Sequence, residues 1–233
     1  MSMTSTHSSR NASAQSAALR ILSFIILLLG AIVLALAWNG IPDHWPVHWG
    51  LDGQPDRWST KNFFEVFLPI GVGVLVCCFL ETVAWIIKAT ARRRDEIAPE
   101  TAAAIAALTV DLVHWIEVAV SIVFVYIGLA MPLIRDVRPV TFVAFVFIVI
   151  SVAVVFGIIR LWRGVRNLKR AGHKGLEGYN GIIYRNPADR RLWVPKLTGI
   201  GYTLNFANPW AWPSLIAILA ILVLVVLMRI GRS

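Results

Sequence analysis

The sequence predicts an all-α integral membrane protein with about five transmembrane helices and a small irregular or β-hairpin-containing interfacial segment. Three observations predict it. Of the 233 residues, 58% are hydrophobic, and mean hydropathy is +0.70. Charged residues make up 15%, against roughly a quarter in a water-soluble domain. The apolar residues also come in long runs, several near the ~20 residues a helix needs to cross ~30 Å of hydrocarbon.

The first run, residues 21–38, is broken only by Ser23 and Gly30. The second, 63–89, has Glu65 near its start and Glu81 inside it. The third, 103–133, carries Asp111, His114 and Glu117. The fourth, 141–162, has no charge before Arg160. The fifth, 213–228, is short and reaches spanning length when Trp210 and Trp212 sit at its interface end. Backbone polar groups in lipid must be satisfied within the segment, so these runs are read as helices. Pro69, Pro132 and Pro213 lie near their ends, where proline is tolerated. The first run exceeds a signal peptide's apolar core of about 7–15 residues. It is therefore read as an uncleaved helix, although Ala35-Leu36-Ala37 has small-x-small character.

The expected organisation follows. Residues 1–17 are a polar, disordered tail. Residues 18–90 are a two-helix hairpin with an ordered extracytoplasmic loop at 39–61. Residues 91–162 hold the third and fourth helices, 163–212 a basic cytoplasmic or interfacial segment, and 213–233 the fifth helix. With the N-terminus inside and the C-terminus outside, sixteen basic residues fall on the cytoplasmic side and six outside. The net charge of +9 thus reflects positive-inside bias and attraction to anionic lipid, not nucleic-acid binding. Cys77 and Cys78 are adjacent on a helix and point about 100° apart, which suits packing and neither metal nor disulfide. The chain has no phosphate loop, zinc motif or nucleophile elbow. It is read as a non-enzyme without a cofactor.

The stretch NGIPDHWPVHWGLDGQPDRWSTK, residues 39–61, is the most informative. Its prolines prevent a continuous helix, and Asp52-Gly53 calls for a turn. Its tryptophans suit the membrane interface. The candidate ligand-binding residues are Pro42, Asp43, His44, His48, Asp52, Asp56, Trp58 and Lys61. His44 and His48 are the candidate metal ligands, though Pro46 between them breaks any helical face.

Ionisable groups at membrane depth are costly and are functional suspects. Asp111, His114 and Glu117 follow at i+3 steps on one helix face, within reach of Glu81 on the antiparallel neighbour. The four residues form a candidate intramembrane polar cluster. It reads as a proton or cation relay, as a binding site, or as a structural polar contact between helices.

Residues 163–212 extend the fourth helix into the headgroup zone, with a stop near Gly172. Residues 178–186 and 191–194 are expected to pair as a short hairpin around the Asn186-Pro187-Ala188-Asp189 turn. Residues 200–206 are a further strand candidate. Asn186, Asp189, Arg190, Arg191, Trp193, Lys196, Asn205 and Asn208 are the candidate docking residues for a soluble partner.

The pattern at Pro42, Asp43, Pro46, His48, Gly53, Pro55, Asp56, Trp58 and Lys61 resembles the outer-loop signature of a family of bacterial membrane proteins related to the Sdp toxin immunity protein. Gly50 stands where that family usually has Asn. Residues 181–212 resemble a second domain of unknown function often found in the same proteins. That match runs through Tyr184, Asn186, Pro187, Asp189, Arg191, Trp193, Val194, Pro195, Lys196, Gly199, Gly201, Leu204, Asn205, Asn208 and Pro209. The resemblance implies the bacterial cytoplasmic membrane, a peptide ligand outside, and a small soluble regulator held at the membrane. Two other functions fit the residues: a small proton- or cation-coupled transporter using the buried cluster, and an accessory subunit of a larger membrane complex.

Overall fold

The computed structural model describes residues 3–50, 53–91, 97–134, 139–180, 183–198 and 201–230. Helices form where the apolar runs lie: α1 (Met3–Leu36), α2 (Phe63–Ala91), α3 (Pro99–Leu133), α4 (Pro139–Arg170) and α5 (Ala211–Ile230). Four are long and apolar enough to cross a membrane: α1 over Ala14–Leu36, and all of α2, α3 and α4. α5 is the shorter one, apolar over Ala211–Val225. The fold is thus the expected helical membrane architecture with small strand pairs.

Two helix starts differ from expectation. Where a disordered tail is expected up to Ala17, α1 continues from Met3. Adding residues to an existing helix costs far less than nucleating one, so this Ser- and Ala-rich stretch joins the apolar segment after it. α3 begins at Pro99 instead of Ala103. Proline at the first helical position loses no bond there, and Glu100 in the first turn complements the helix dipole.

The chain divides into two units: Met1–Lys88 with Ala107–Arg160, and Ala89–Ala106 with Leu161–Ser233. In the first, the inward faces follow helical spacing. α1 buries Leu19, Ser23, Leu27, Gly30 and Leu34, and α2 buries Val66, Ile70, Gly73, Cys77, Ala84 and Ile87. Steps of three and four keep each set on one stripe. α3 is the most buried of the four long helices. Outward faces carry Leu28, Leu29, Leu75, Phe79, Phe147 and Val155, all well exposed. Such a surface is an aggregation liability in water and is at home against lipid tails. Close helix contact relies on small residues. A Cβ on Gly73 would lie 2.8 Å from Leu27 Cδ2 and 2.9 Å from Phe124 Cβ.

The loop after α1 holds a feature its sequence reading missed. β1 (His44–Trp49) and β2 (Pro55–Thr60) form an antiparallel hairpin, with Trp45 opposite Ser59 and Pro46 opposite Trp58. The register shifts on both sides of His48, so the strand bulges there and twists more strongly. Gly53 takes φ 77° in the connecting turn, a conformation glycine adopts without a Cβ penalty. Trp45 is buried with Ile41, Leu34, Val66 and Ile70, which clamps the hairpin onto the ends of α1 and α2.

The second unit contains β3 (Tyr179–Asn180) paired with β4 (Ile183–Tyr184), and β5 (Trp193–Pro195) paired with β6 (Tyr202–Leu204). The expected pairing of 178–186 with 191–194 does not occur. Each half makes its own hairpin, and an isolated bridge joins Tyr184 to Asn205. Asn186 to Asp189 forms a turn held by its own side chains, Ala188 N donating to Asn186 Oδ1, so the chain leaves the first hairpin without returning along it.

Gly73→Val adds an isopropyl group whose Cβ meets Phe124 Cβ, which cannot swing aside as the end of a side chain can. We expect a loss of about 1–3 kcal/mol from overpacking, read as a lower unfolding temperature of the detergent-solubilised protein.

Candidate functional sites

At one end of the first unit, the hairpin separates residues that hold it from residues it displays. Lys61 Nζ donates to Ile41 O at 3.0 Å and lies 5.5 Å from the Trp38 ring centroid. Lys61 N donates to Asp43 O at 2.9 Å. Ser59 Oγ donates to Glu65 Oε2 at 2.8 Å. The Lys61 contacts close the two strand ends on each other, and Ser59 ties β2 to α2. His48 Nδ1 and Asp56 Oδ1 pair across the exposed face, and Trp58 beside them is 57% exposed. Pro42, Asp43 and His44 are exposed at the entry to β1. Asp52 lies outside the described residues. His44 and His48 lie four residues apart on β1, and the register shifts on both sides of His48. Beneath the hairpin is a cleft of about 240 Å³, lined in part by Trp45, Val47, Pro69, Ile127 and Met131.

At the other end lies a polar layer. Glu81 continues the buried stripe of α2, four residues beyond Cys77. Its Oε1 comes within 3.1 Å of His114 Nε2 on α3, and its Oε2 within 3.9 Å of Arg20 Nη1 on α1. Ser16 Oγ, also on α1, is 2.8 Å from His114 Nδ1. Glu117 is 0% exposed and His114 2%. One ligand atom from each of Glu81, His114 and Glu117 lies within 4.8 Å of the others. Asp111 is not part of this group. Three residues before His114, it turns toward α4, where Arg160 Nε donates to its Oδ2 at 2.7 Å and Arg160 Nη2 donates to Gln15 Oε1 at 3.1 Å.

The sequence reading assembled Glu81, His114 and Glu117 but missed Gln15, Ser16 and Arg20 on α1 and Arg160 on α4. Ser16 fell in the expected tail, and Arg20 and Arg160 counted only as interface charges. Their signal was level: the start of α1, the end of α2, the start of α3 and the end of α4 share one side of an up-down bundle.

In the second unit the docking candidates divide. Asn205 is 0% exposed and has no surface to offer a partner. Its Oδ1 accepts from Asn186 N and Ala207 N, and its Nδ2 donates to Asn186 O and Asp189 O. Asn208 Nδ2 donates to Arg190 O at 2.9 Å and its Oδ1 accepts from Trp210 N. Both asparagines are backbone clamps. Asp189 accepts from Arg191 Nε, Nη2 and backbone N and from Tyr184 Oη. The Arg191 contacts hold the Asp189 carboxyl well below the usual carboxylate range, and burial pushes the Tyr184 phenol up. Arg190, Arg191, Trp193 and Lys196 are exposed.

Two families match the chain. Residues 25–74, covering the last third of α1, the hairpin and the first part of α2, match a domain of unknown function, DUF1648. Residues 187–212 match a family of unknown function, DUF5808. Neither a curated protein nor a solved structure matches. The second match coincides with the irregular, hydrogen-bonded segment before α5, and the first takes in the hairpin together with the helix stretches that flank it.

Asn205→Ala leaves buried backbone groups unpaired at about 1–3 kcal/mol each, and we expect a clearly lower unfolding temperature. Asp189 has a depressed folded-state pKa. Its contribution is therefore full above the unfolded value of about 3.9 and is lost as pH falls through the lower folded value. The difference in unfolding temperature between wild type and Asp189→Asn should hold constant from about pH 7 to pH 5 and shrink below about pH 4.

Proposed function

We propose that the protein is a non-enzymatic receptor of the bacterial cytoplasmic membrane that recognises a peptide or other envelope signal through residues 41–61 and holds a soluble regulator on its cytoplasmic face. The carrying observation is the hairpin's division of labour. Trp45 and Lys61 fix it to the helix ends, while His48, Asp56 and Trp58 project from it. A rigid scaffold that displays an indole and an ion pair is suited to binding, because little ordering entropy is lost on contact. The basic-residue asymmetry puts the hairpin outside and the second unit's Arg190, Arg191, Trp193 and Lys196 inside. The likeness to Sdp-immunity-like proteins supports the same assignment.

A second reading, a small proton- or cation-coupled transporter, is favoured by the charged groups that converge inside the bundle.

Affinity purification in mild detergent with mass spectrometry of co-purifying species tests the receptor reading. A secreted peptide or small soluble regulator that is lost on His48→Ala or Asp56→Ala is the expected result. A fixed set of large membrane subunits, unaffected by either substitution, would overturn it in favour of an accessory subunit. A protein that purifies alone moves the reading to transport, with Glu81→Gln as the next variant.

A further inference from the structure

The geometry points to a binding site for a divalent transition-metal cation of the zinc class, formed by Glu81, His114 and Glu117 within the helical bundle. The site is separate from the hairpin and independent of the receptor reading.

Four observations carry it. First, two helices deliver one imidazole and two carboxylates whose ligand atoms lie within 4.8 Å of one another. His114 and Glu117 are three residues apart on α3, so they share a face, and Glu81 meets them from α2. Tetrahedral zinc with bonds of ~2.0 Å sets its ligands about 3.3 Å apart. Rotation of two glutamate side chains covers that difference.

Second, these atoms are left short of well-formed hydrogen bonds. Glu117 Oε1 and Oε2, Glu81 Oε1 and His114 Nε2 are buried without a hydrogen-bond partner among the described residues. The 3.1 Å approach of His114 Nε2 to Glu81 Oε1 therefore lacks hydrogen-bond geometry. Buried polar atoms are almost always satisfied, and three side chains whose ligand atoms lie this close together call for a shared partner.

Third, His114 is already oriented. Its Nδ1 lies 2.8 Å from Ser16 Oγ. With Nδ1–H donating to the hydroxyl, Nε2 presents its lone pair to the carboxylates. Metal-binding histidines are commonly fixed in this way through the ring nitrogen away from the metal.

Fourth, one buried carboxylate makes no ion pair among the described residues. Arg160 answers Asp111, and Arg20 lies 3.9 Å from Glu81. Glu117, fully buried, forms no salt bridge with Arg or Lys among the described residues. An ionised carboxylate there is costly unless neutralised, so its charge is balanced either by a proton or by a bound cation. The mixed donor set selects the cation. Magnesium and calcium take six or more oxygen ligands, whereas three ligands of N and O type with a fourth position open is a zinc arrangement. The Glu81 side chain is 27% exposed, which leaves that side of the site accessible.

Cobalt(II) tests the proposal, because its visible absorption reports a tetrahedral N/O site. The full chain, purified in mild detergent and stripped with chelator, is titrated with Co²⁺ and then with Zn²⁺. We expect one Co²⁺ per chain, displaced by Zn²⁺, with the signal lost in Glu117→Gln and His114→Gln and kept in His48→Ala. Glu117→Gln also removes the unbalanced charge. The metal-free variant should therefore unfold no lower than wild type while losing the rise in unfolding temperature that Zn²⁺ gives the wild type. That second readout decides the matter if His114→Gln fails to fold. A folded wild type with no cobalt signal and no Zn²⁺ response would overturn the proposal and leave a proton as Glu117's partner. So would a signal that survives Glu117→Gln, or one that disappears only with His48→Ala.

Discussion

In hydrocarbon no water is at hand to bond a carbonyl or solvate a charge, and that constraint orders the whole of the helical unit. It turns Leu28, Leu75, Phe79 and Phe147 outward and Asp111, His114 and Glu117 of α3 inward. It also makes the small polar residues bond locally. Ser23 Oγ donates to Leu19 O, Thr82 Oγ1 to Cys78 O, and Ser121 Oγ to Glu117 O. Each hydroxyl returns its proton to its own helix. What remains after these local solutions is a small set of ionisable groups that no single helix can satisfy. They must meet across the bundle, and the level at which they meet is the polar layer.

The two ends of the unit answer different chemical demands. At the hairpin end the backbone leaves helical geometry and must find its own hydrogen bonds, which the β1–β2 ladder supplies. A two-stranded ribbon is marginal by itself. Here Trp45 packed among Ile41, Val66 and Ile70 supplies the missing hydrophobic face. That anchoring leaves the opposite face free of structural duty. At the other end the situation is reversed, and the chemistry is turned inward around Glu117.

The second unit depends less on apolar burial than on one amide. Its strands are two or three residues long, too short to hold a sheet. Asn205 takes over the role of a ladder, bonding three stretches of backbone from the interior. Gly178, at φ 79°, is needed beside it, because a Cβ there would lie 2.8 Å from Asn186 Cβ and 2.9 Å from the Tyr184 ring. A short, turn-rich stretch thus behaves as a defined module.

Hydropathy alone determined the class of fold and the positions of the apolar helices. These follow from local spacing and from what lipid will accept, and neither depends on distant residues. The approach of Glu81 to His114 was legible for the same reason, since antiparallel neighbours put them at one depth. Tertiary structure decided the rest. Whether Asp111 joins Glu81 or Arg160 depends on the rotation of α3 between two neighbours, which no periodicity encodes. Strand pairing around Asn186 and around His48 depends on which of several turns closes, a choice among contacts of similar energy. The burial of Asn205 was invisible because a polar residue in a polar stretch reads as surface until its surroundings close over it.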